Sequence, residues 1–253
     1  MTISKNEFLV LREVVLHPGC AQRKIAEATG LSLGSVNAAA KTLTAAGLID
    51  EGEATEAGGK ALEPYRVENA IILAAGLSSR FAPISYEKPK GLLKVRGEVL
   101  IERQIEQLIA AGITDITVVV GYKKEYFFYL EDKFGVSIVV NPDYASRNNS
   151  SSIKCVEDRL GNTYICSSDD YFIENPFEPY VWKAYYAVEY AEGETTEWCI
   201  QTGAHDRITA VTIGGANAWY MIGHVYFDHA FSRAYVPLLD AVYDNPATID
   251  KLW

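Results

Sequence analysis

From Asn69 onward the sequence alternates continuous apolar runs with helical patterns, and this alternation constrains the fold more than any other feature. "AIILAA", "DITVVVGY", "VSIVVNP" and "TYICSSDDY" read as strands. "EVLIERQIEQLIAAG" reads as a helix with Ile101, Ile105, Leu108 and Ile109 on one face, and "SSIKCVEDRL" as another helix. Strands that are apolar throughout need cover on both faces, and strand–helix–strand units make the sheet mostly parallel. The expected class is therefore α/β, Rossmann-like, with a mixed and mostly parallel sheet. Such sheets take ligands at the carboxyl ends of their strands. "AAGLSSR", "GYKK" and "SSDDY" all fall at such ends. After about residue 183 come "AYYAVEY", "EWCIQTG", "ITAVTIGG" and "AWYMIGHVYFD". These aromatic segments read as antiparallel strands, a lid or wall over the site.

Residues 1–66 read as a separate domain. Phe8, Leu9, Leu11, Val14, Val15 and Leu16 form a helical stripe that stops at "HPG". "AQRKIAEATG" is a short second helix stopped by Gly30, and Ser32 caps a third that ends at Gly47. "LIDEGEATEAG" reads as a hairpin and "GKALEPYRV" as a turn into residues 67–253. The pattern resembles a winged helix-turn-helix domain. DNA binding by residues 1–66 is the usual use of that fold, but the charge argues for an accessory or protein-contact role. Seven Lys or Arg face eight Asp or Glu, and the candidate recognition helix offers only Lys41.

The net charge of −10 disfavours a protein that coats nucleic acid, yet leaves room for a locally cationic nucleotide pocket. No apolar run approaches the roughly 20 residues of a membrane span. The first residues lack a signal-peptide layout, so a cytoplasmic location is expected. Cys20, Cys155, Cys166 and Cys199 have no metal-ligand spacing and read as small buried thiols. Oligomeric state is not legible.

The stretch "NAIILAAGLSSRFAPISYEKPKGLLKV" ends a strand on Ala74-Ala75-Gly76 and then places cations at Arg80, Lys88 and Lys90. Small side chains let a flat or anionic ligand reach backbone N–H groups, and the cations suit a triphosphate. Asp169, at the end of "TYICSSDDY", is costly to bury without a cation. Magnesium, which prefers oxygen ligands shared between a carboxylate and phosphates, fits there. Asp170 would point elsewhere if the strand continued.

L-A-A-G-x-x-x-R followed ten residues later by P-K resembles the signature loop of nucleotidyltransferases. Further segments, "GVSIVVNPDYASRNNSSSI", "YICSSDDYFIENPF" and "TTEWCIQTGAHDRITAV", are similar to the bacterial CTP:phosphocholine cytidylyltransferases, over about residues 68–253. The resemblance implies CMP transfer from CTP to phosphocholine, with Mg2+, giving CDP-choline and pyrophosphate. It implies that Leu73, Ala74, Ala75 and Gly76 contact the nucleotide, and that Arg80 and Lys90 bind phosphate. It puts Gly121 and Tyr122 along base or ribose, Asn148 and Asn149 near the nucleotide, and Asp169 on the metal. Phosphocholine is already anionic, so none of His17, His205, His224 and His229 is needed as a base.

A trimethylammonium group is held by aromatic faces with a carboxylate nearby. Glu197-Trp198 matches the family's Glu-Trp, and Tyr171, Trp219, Tyr220 and Tyr226 are further candidates. Phosphoethanolamine and 2-aminoethylphosphonate stay open as second substrates. The resemblance also implies a second metal-binding acid just past Trp253, so the chain is expected to be cut short, with Asp250 a weak substitute. Longer relatives with this winged-helix start resemble fusions carrying a choline-kinase-like domain downstream. Two other readings remain: a sugar-phosphate nucleotidylyltransferase, and a transcriptional regulator with a nucleotide-sensing transferase-like domain.

Overall fold

A computed structural model describes residues 2–78 and 82–248; Arg80, Asp250 and Trp253 lie outside the described residues. The chain divides into two compact units. The first comprises residues 1–66 with Tyr180–Trp182, and the second comprises residues 67–179 and 183–253.

In the first unit, α1 (Lys5–Leu16) opens on a capping box between Ser4 and Glu7. α2 (Gln22–Thr29) ends at Gly30, whose φ is +69°. α3 (Leu33–Ala45) is capped by Ser32. A hairpin of β1 (Ile49–Asp50) and β2 (Glu53–Ala54) follows, then α4 (Glu56–Leu62), capped by Thr55. Phe8, Val10, Leu11, Val14, Ile25, Val36, Leu43 and Leu62 form the core. Two expectations are corrected. In α1, Phe8, Leu11 and Val14 face the core as expected and Leu9 and Val15 pack against it, but Val10 is buried as well whereas Leu16 is exposed. Glu56–Leu62 is a helix rather than hairpin and turn. Its two glycines disguise it, and Gly58 sits where a Cβ would come within 2.2 Å of the Leu48 carbonyl oxygen.

The second unit holds β3 (Asn69–Ala74), a β4–β5 hairpin (Lys94–Val95 and Glu98–Val99), α5 (Leu100–Ala110), β6 (Ile116–Val120), α6 (Tyr129–Phe134) and β7 (Ser137–Val140). Then come α7 (Ser150–Lys154), β8 (Thr163–Ser167), β9 (Tyr185–Thr202), β10 (Ile208–Phe227) and α8 (His229–Tyr243). The main sheet has the order β7-β6-β3-β8-β10-β9. β3 lies between β6 and β8 with all three parallel, and β7 continues the parallel set. β10 joins β8 antiparallel, from Thr163↔Phe227 to Cys166↔His224, and β9 pairs with β10. The chain steps outward from β3 to β6 and β7, then crosses to β8 on the far side of β3. The carboxyl ends of β3 and β8 thus flank the topological switch point, where open α/β sheets form their ligand crevice.

Ala70, Ile71, Ile72, Val118, Val119 and Val120 are wholly buried, as continuous apolar strands require. The α5 face differs from expectation: Ile109 is exposed, whereas Gln104 and Gln107 are buried beside Ile101, Ile105 and Leu108. α7 spans only five residues before a one-turn 3-10 helix, Glu157–Arg159. The four expected distal segments are two long bulged strands, and α6 and α8 have no counterpart in the sequence reading. Cys166 and Cys199 are buried, while Cys20 and Cys155 are only half-buried. Among the described residues no helix is long and apolar enough to cross a membrane.

Candidate active site

The residues at the ends of β3 and β8 face one another through short, determined contacts. The Ser168 N–H donates to the Leu73 carbonyl at 3.2 Å, which fixes the start of the "SSDD" turn against the last residues of β3. Behind that turn, the Gln104 amide donates to the carbonyls of Ser167 and Asp170, both at 2.8 Å. Arg103 and Gln107, one position before and three after, hold the carbonyls of Phe172, Ile173 and Glu174. The polar residues that break the apolar face of α5 are therefore the ones that shape the acidic loop.

Lys90 reaches this loop from the other side. It opens the 3-10 turn Lys90–Leu92, and its Nζ lies 2.7 Å from Asp169 Oδ2. Gly91 makes the approach possible, since a Cβ there would fall 2.8 Å from Ser168 Oγ. Leu73, Ala74, Gly76, Ser78, Lys90, Gly91, Phe127 and Ser168 line a small cleft here. Ala74 and Ala75 are buried. At Gly76 a Cβ would meet nothing within 4 Å among the described residues, which leave open space over this position.

The two aspartates are not equivalent. Among the described residues, Asp169 Oδ1 is buried with no hydrogen-bond partner, while its other oxygen takes Lys90. The strand stops at Ser167, so Asp170 does not point away as expected; its carboxyl is buried beside Asp169, with Oδ2 also lacking a partner among the described residues. Burial pushes Asp170 up to about 8, with the neighbouring Asp169 charge adding to the rise. Two adjacent half-buried carboxyl groups, each with one buried oxygen that has no partner among the described residues, form a donor set that suits a hard divalent cation. Among the described residues no three His, Cys, Asp or Glu side chains converge as a metal cluster, so a cation here would draw its remaining ligands from phosphate or water.

Gly121, at the end of β6, is pressed between strand ends. A Cβ would come within 2.5 Å of the Tyr144 Cβ and 2.8 Å of the Ala75 carbonyl oxygen. The Tyr122 N–H donates to that same Ala75 carbonyl at 3.2 Å. Lys123, with φ of +51°, ties this turn to the carbonyls of Tyr86 and Glu87. Asn148 and Asn149 end the loop that follows β7 and carries Tyr144. The Asn148 side chain accepts from the Asn149 N–H at 2.8 Å, and its carbonyl accepts from Ser151. Arg80 lies outside the described residues.

The second cluster is on the β9–β10 ribbon. Tyr220 is registered against Glu189 on one side and Cys199 on the other, so the ribbon curls and brings two stretches of β9 around one tyrosine. The Tyr220 hydroxyl donates to Glu189 Oε2 at 2.9 Å. That bond raises the phenol's pKa most, with burial next, and the charges of Glu189 and Glu197 act in the same sense. The Glu189 charge also bears on Asp170, which links this cluster to the acidic loop. Gly223 closes the gap: a Cβ there would fall 2.4 Å from Ser167 Oγ, and its φ is +77°. Tyr186, raised to about 12 chiefly by burial, feels the Asp170 charge as well. Glu189, Tyr186, Gly223 and Asp170 were not picked out from the sequence. The alternation of Glu and Tyr in "YYAVEY" was the one legible signal for Tyr186 and Glu189, since only the curl of the ribbon reveals the grouping.

Other candidates are placed differently. Tyr171 donates to Glu98 at 2.8 Å and lies under the Arg103 guanidinium at 4.8 Å, on the surface of α5. Trp198 sits opposite Ile213 in the ribbon, and Trp219 packs edge-on against Tyr190 at 5.3 Å. Tyr226 is fully buried among Tyr164 and Tyr185, so it serves the core and not a ligand.

A family model described as "MobA-like NTP transferase domain" matches residues 70–217. The chain is also 35% identical to the choline-phosphate cytidylyltransferase of Streptococcus pneumoniae, across 73% of this chain and 80% of that protein. It belongs to the nucleotidyltransferase family. The transferase is equally 35% identical to a 2-aminoethylphosphonate cytidylyltransferase from Lancefieldella rimae, with 73% and 77% covered. The solved structure of the CTP:phosphocholine cytidylyltransferase from Streptococcus pneumoniae superimposes with a TM-score of 0.71 at 36% identity, covering 74% of the transferase and 82% of that chain. A UDP-glucose pyrophosphorylase, at 18% identity and a TM-score of 0.54, shares the fold alone. Residues 1–60 match a model of the MarR family, which makes the first unit of the transferase a MarR-like winged helix.

Proposed function

We propose that this nucleotidyltransferase moves the cytidylyl group of CTP onto phosphocholine, releasing CDP-choline and pyrophosphate. The observation that carries the reading is the 2.7 Å pair of Lys90 and Asp169 across the ends of β3 and β8. It opposes a cation and an acid at the switch-point crevice, beside a backbone cleft with open space at Gly76. The 35% identity to a choline-phosphate cytidylyltransferase supports the choice of substrates.

In this scheme Leu73 to Gly76 line the nucleotide, and Lys90 binds phosphate and steadies the charge that grows on the leaving pyrophosphate. Arg80 is proposed as its companion. Gly121, Tyr122, Asn148 and Asn149 flank base and ribose. A phosphocholine oxygen attacks the α-phosphorus; the new P–O bond forms as the bond to the bridging oxygen breaks and pyrophosphate leaves with the electron pair. The protein supplies alignment and fixed charge, the main contributions such a transfer draws on. Asp169, with Asp170 beside it, would hold Mg2+, which when bound neutralises phosphate charge. Glu197 and Glu189, with the ring of Tyr220, offer the cationic headgroup its carboxylates and an aromatic face; Trp198 and Tyr171 are the outer candidates.

For the MarR-like unit we favour an accessory or protein-contact role over DNA binding, since α3 carries Lys41 as its one basic residue. The test of the main reading is pyrophosphate release from CTP with magnesium, with phosphocholine, phosphoethanolamine and 2-aminoethylphosphonate as acceptors in parallel and the CDP-choline product identified in the first. Phosphocholine should give the highest kcat/KM. Preference for 2-aminoethylphosphonate would move the assignment to that relative's substrate. Lys90→Ala should lower turnover about 100-fold or more, and undiminished turnover would remove Lys90 from the mechanism.

A further inference from the structure

Lys123 has no part in the transfer as proposed above, yet its placement is costly. It takes a left-handed backbone, with φ of +51°, that residues with a side chain rarely adopt. Such strain persists only where the surroundings hold it. The Lys123 ammonium donates to the Tyr86 carbonyl and, at 3.3 Å, to that of Glu87. It also lies 5.6 Å from the centre of the Tyr122 ring and 5.5 Å from that of Tyr126, within cation–π range of both. The receiving carbonyls end the 3-10 turn Ile84–Tyr86. In that turn the Tyr86 N–H donates to Pro83, and the N–H groups of Glu87 and Lys88 donate to Ile84. The carbonyls of Tyr86 and Glu87, at the negative end of the turn, take the ammonium. Lys123 thus acts as a basic C-terminal cap, supplied from the end of a different strand.

The two ends of this tether differ in how firmly they are set. The turn after β6 is rooted in the body: Gly121 and Phe127 are buried, and the Tyr122 N–H holds the Ala75 carbonyl. Residues 82–84 and 86–88 are exposed, Tyr86 by 68%, and between them only Ser85 is buried. The chain re-enters the body at Pro89 and delivers Lys90, whose Nζ meets Asp169 at 2.7 Å. Glu87, the last residue that Lys123 holds, is three positions before Lys90. We propose that Lys123 is a positioning residue, which fixes the segment carrying Lys90 so that Lys90 meets the triphosphate already in place. This rests on the reading of Lys90 as the phosphate-binding lysine. Placement matters here, because a shift of about 1 Å in a catalytic group can slow a transfer about 100-fold.

Amide exchange without nucleotide is the first readout, since it needs no turnover. In Lys123→Met the N–H groups of Glu87, Lys88, Leu92 and Leu93 should exchange about tenfold faster than in the wild type, with the urea midpoint little changed. Those of Leu92 and Leu93 donate to the Pro89 and Lys90 carbonyls, so they report on the turn of Lys90 itself. The Kd for CTP with magnesium, by calorimetry, should rise about tenfold, and kcat/KM with phosphocholine should fall at least as far. Lys123→Arg, whose fork can serve both carbonyls, should bring both readouts back toward the wild type. Lys124→Met removes the same charge from an exposed neighbour and should change neither. Lys123→Gly suits a φ of +51° and removes the tether in turn, should the methionine variant fail to fold. Unchanged exchange in the tetherless variants overturns the proposal. Weaker CTP binding with unchanged exchange also overturns it and makes Lys123 a direct nucleotide ligand. Faster exchange with normal CTP affinity does so as well, since Lys90 would then be placed without help. A wild type that does not turn over phosphocholine sinks the substrate reading alone, because the exchange and CTP arms still decide the role of Lys123.

Discussion

The carboxyl ends of β3 and β8 and the β9–β10 ribbon carry the two halves of the candidate site on very different foundations. At the strand ends, Lys90 and Asp169 are fixed by buried neighbours: Gly91 against Ser168, Gln104 under the turn, Ala74 and Ala75 in the core. On the ribbon, Glu189, Glu197 and Tyr220 stand on strands that are mostly exposed, anchored only where His224–Phe227 joins the sheet. The rigid half suits the chemistry, which is common to nucleotidyl transfer. The exposed half suits recognition, and a change of second substrate there costs the core little. Relatives of equal identity that act on phosphocholine and on 2-aminoethylphosphonate fit such a division.

The division breaks most visibly at Asp169. Asp169→Asn keeps the shape but removes the charge that faces Lys90. It should lower kcat/KM about 100-fold or more, near 3 kcal/mol, while the urea midpoint stays close to wild type. A variant that unfolds instead would mean that the acid serves the fold.

The ribbon's anchored end gives the next effect. His224 is buried against Tyr164, Phe172, Phe177 and Tyr185, with Nε2 3.0 Å from the Tyr185 hydroxyl and Nδ1 near Cys166 Sγ. Burial lowers its pKa to about 4. The unfolded chain takes up the proton below pH ~6.5 and the folded chain only near pH 4, so stability falls as pH drops through that window and levels off below it. The loss attributable to His224 is about 3 kcal/mol. Urea midpoints at pH 7 and 4.5 measure it, and subtracting those of His224→Gln removes the contribution of carboxylates. Equal losses in both proteins would assign the acid sensitivity elsewhere.

The rigid half was legible where burial dictated sequence. Continuous apolar strands announced the parallel sheet, Asp169 stood just past a strand end, and Lys90 stood in the loop that follows β3, neither with an apolar role. Legibility failed where a residue's meaning depends on a remote partner. Gln104 looks like a flaw in the apolar face of α5 until the loop it supports is in place. Glu189 and Glu197 are eight residues apart and both act on Tyr220 only because the ribbon curls around it. α4 was hidden by glycines. α8, which carries an internal Pro237, begins only because Asp228 accepts from the Phe231 N–H at 2.8 Å.

Gly121→Ala sharpens the rigid side. The added methyl meets Tyr144 and the Ala75 carbonyl, and backbone cannot yield as a flexible side chain does. A cost of about 1–3 kcal/mol in unfolding free energy is expected, together with weaker CTP binding as the Ala75–Gly121 spacing opens. Normal stability and normal CTP affinity would show that this packing is looser than the distances imply.

The smallest effect discriminates best between the two halves. Glu189→Gln keeps the size of the side chain and still accepts from Tyr220, but removes a negative charge from the ribbon cluster. If the cluster holds the cationic headgroup, KM for phosphocholine should rise about tenfold, near 1.4 kcal/mol, with kcat and the KM for CTP little changed, because the contact is made equally in ground and transition states. High salt should shrink the difference, as screening weakens an exposed charge pair. A fall in kcat with KM unchanged would point the other way. It would mean that Glu189 acts through Asp170, whose buried carboxyl feels its charge, and that the ribbon takes part in the chemistry and not in recognition alone.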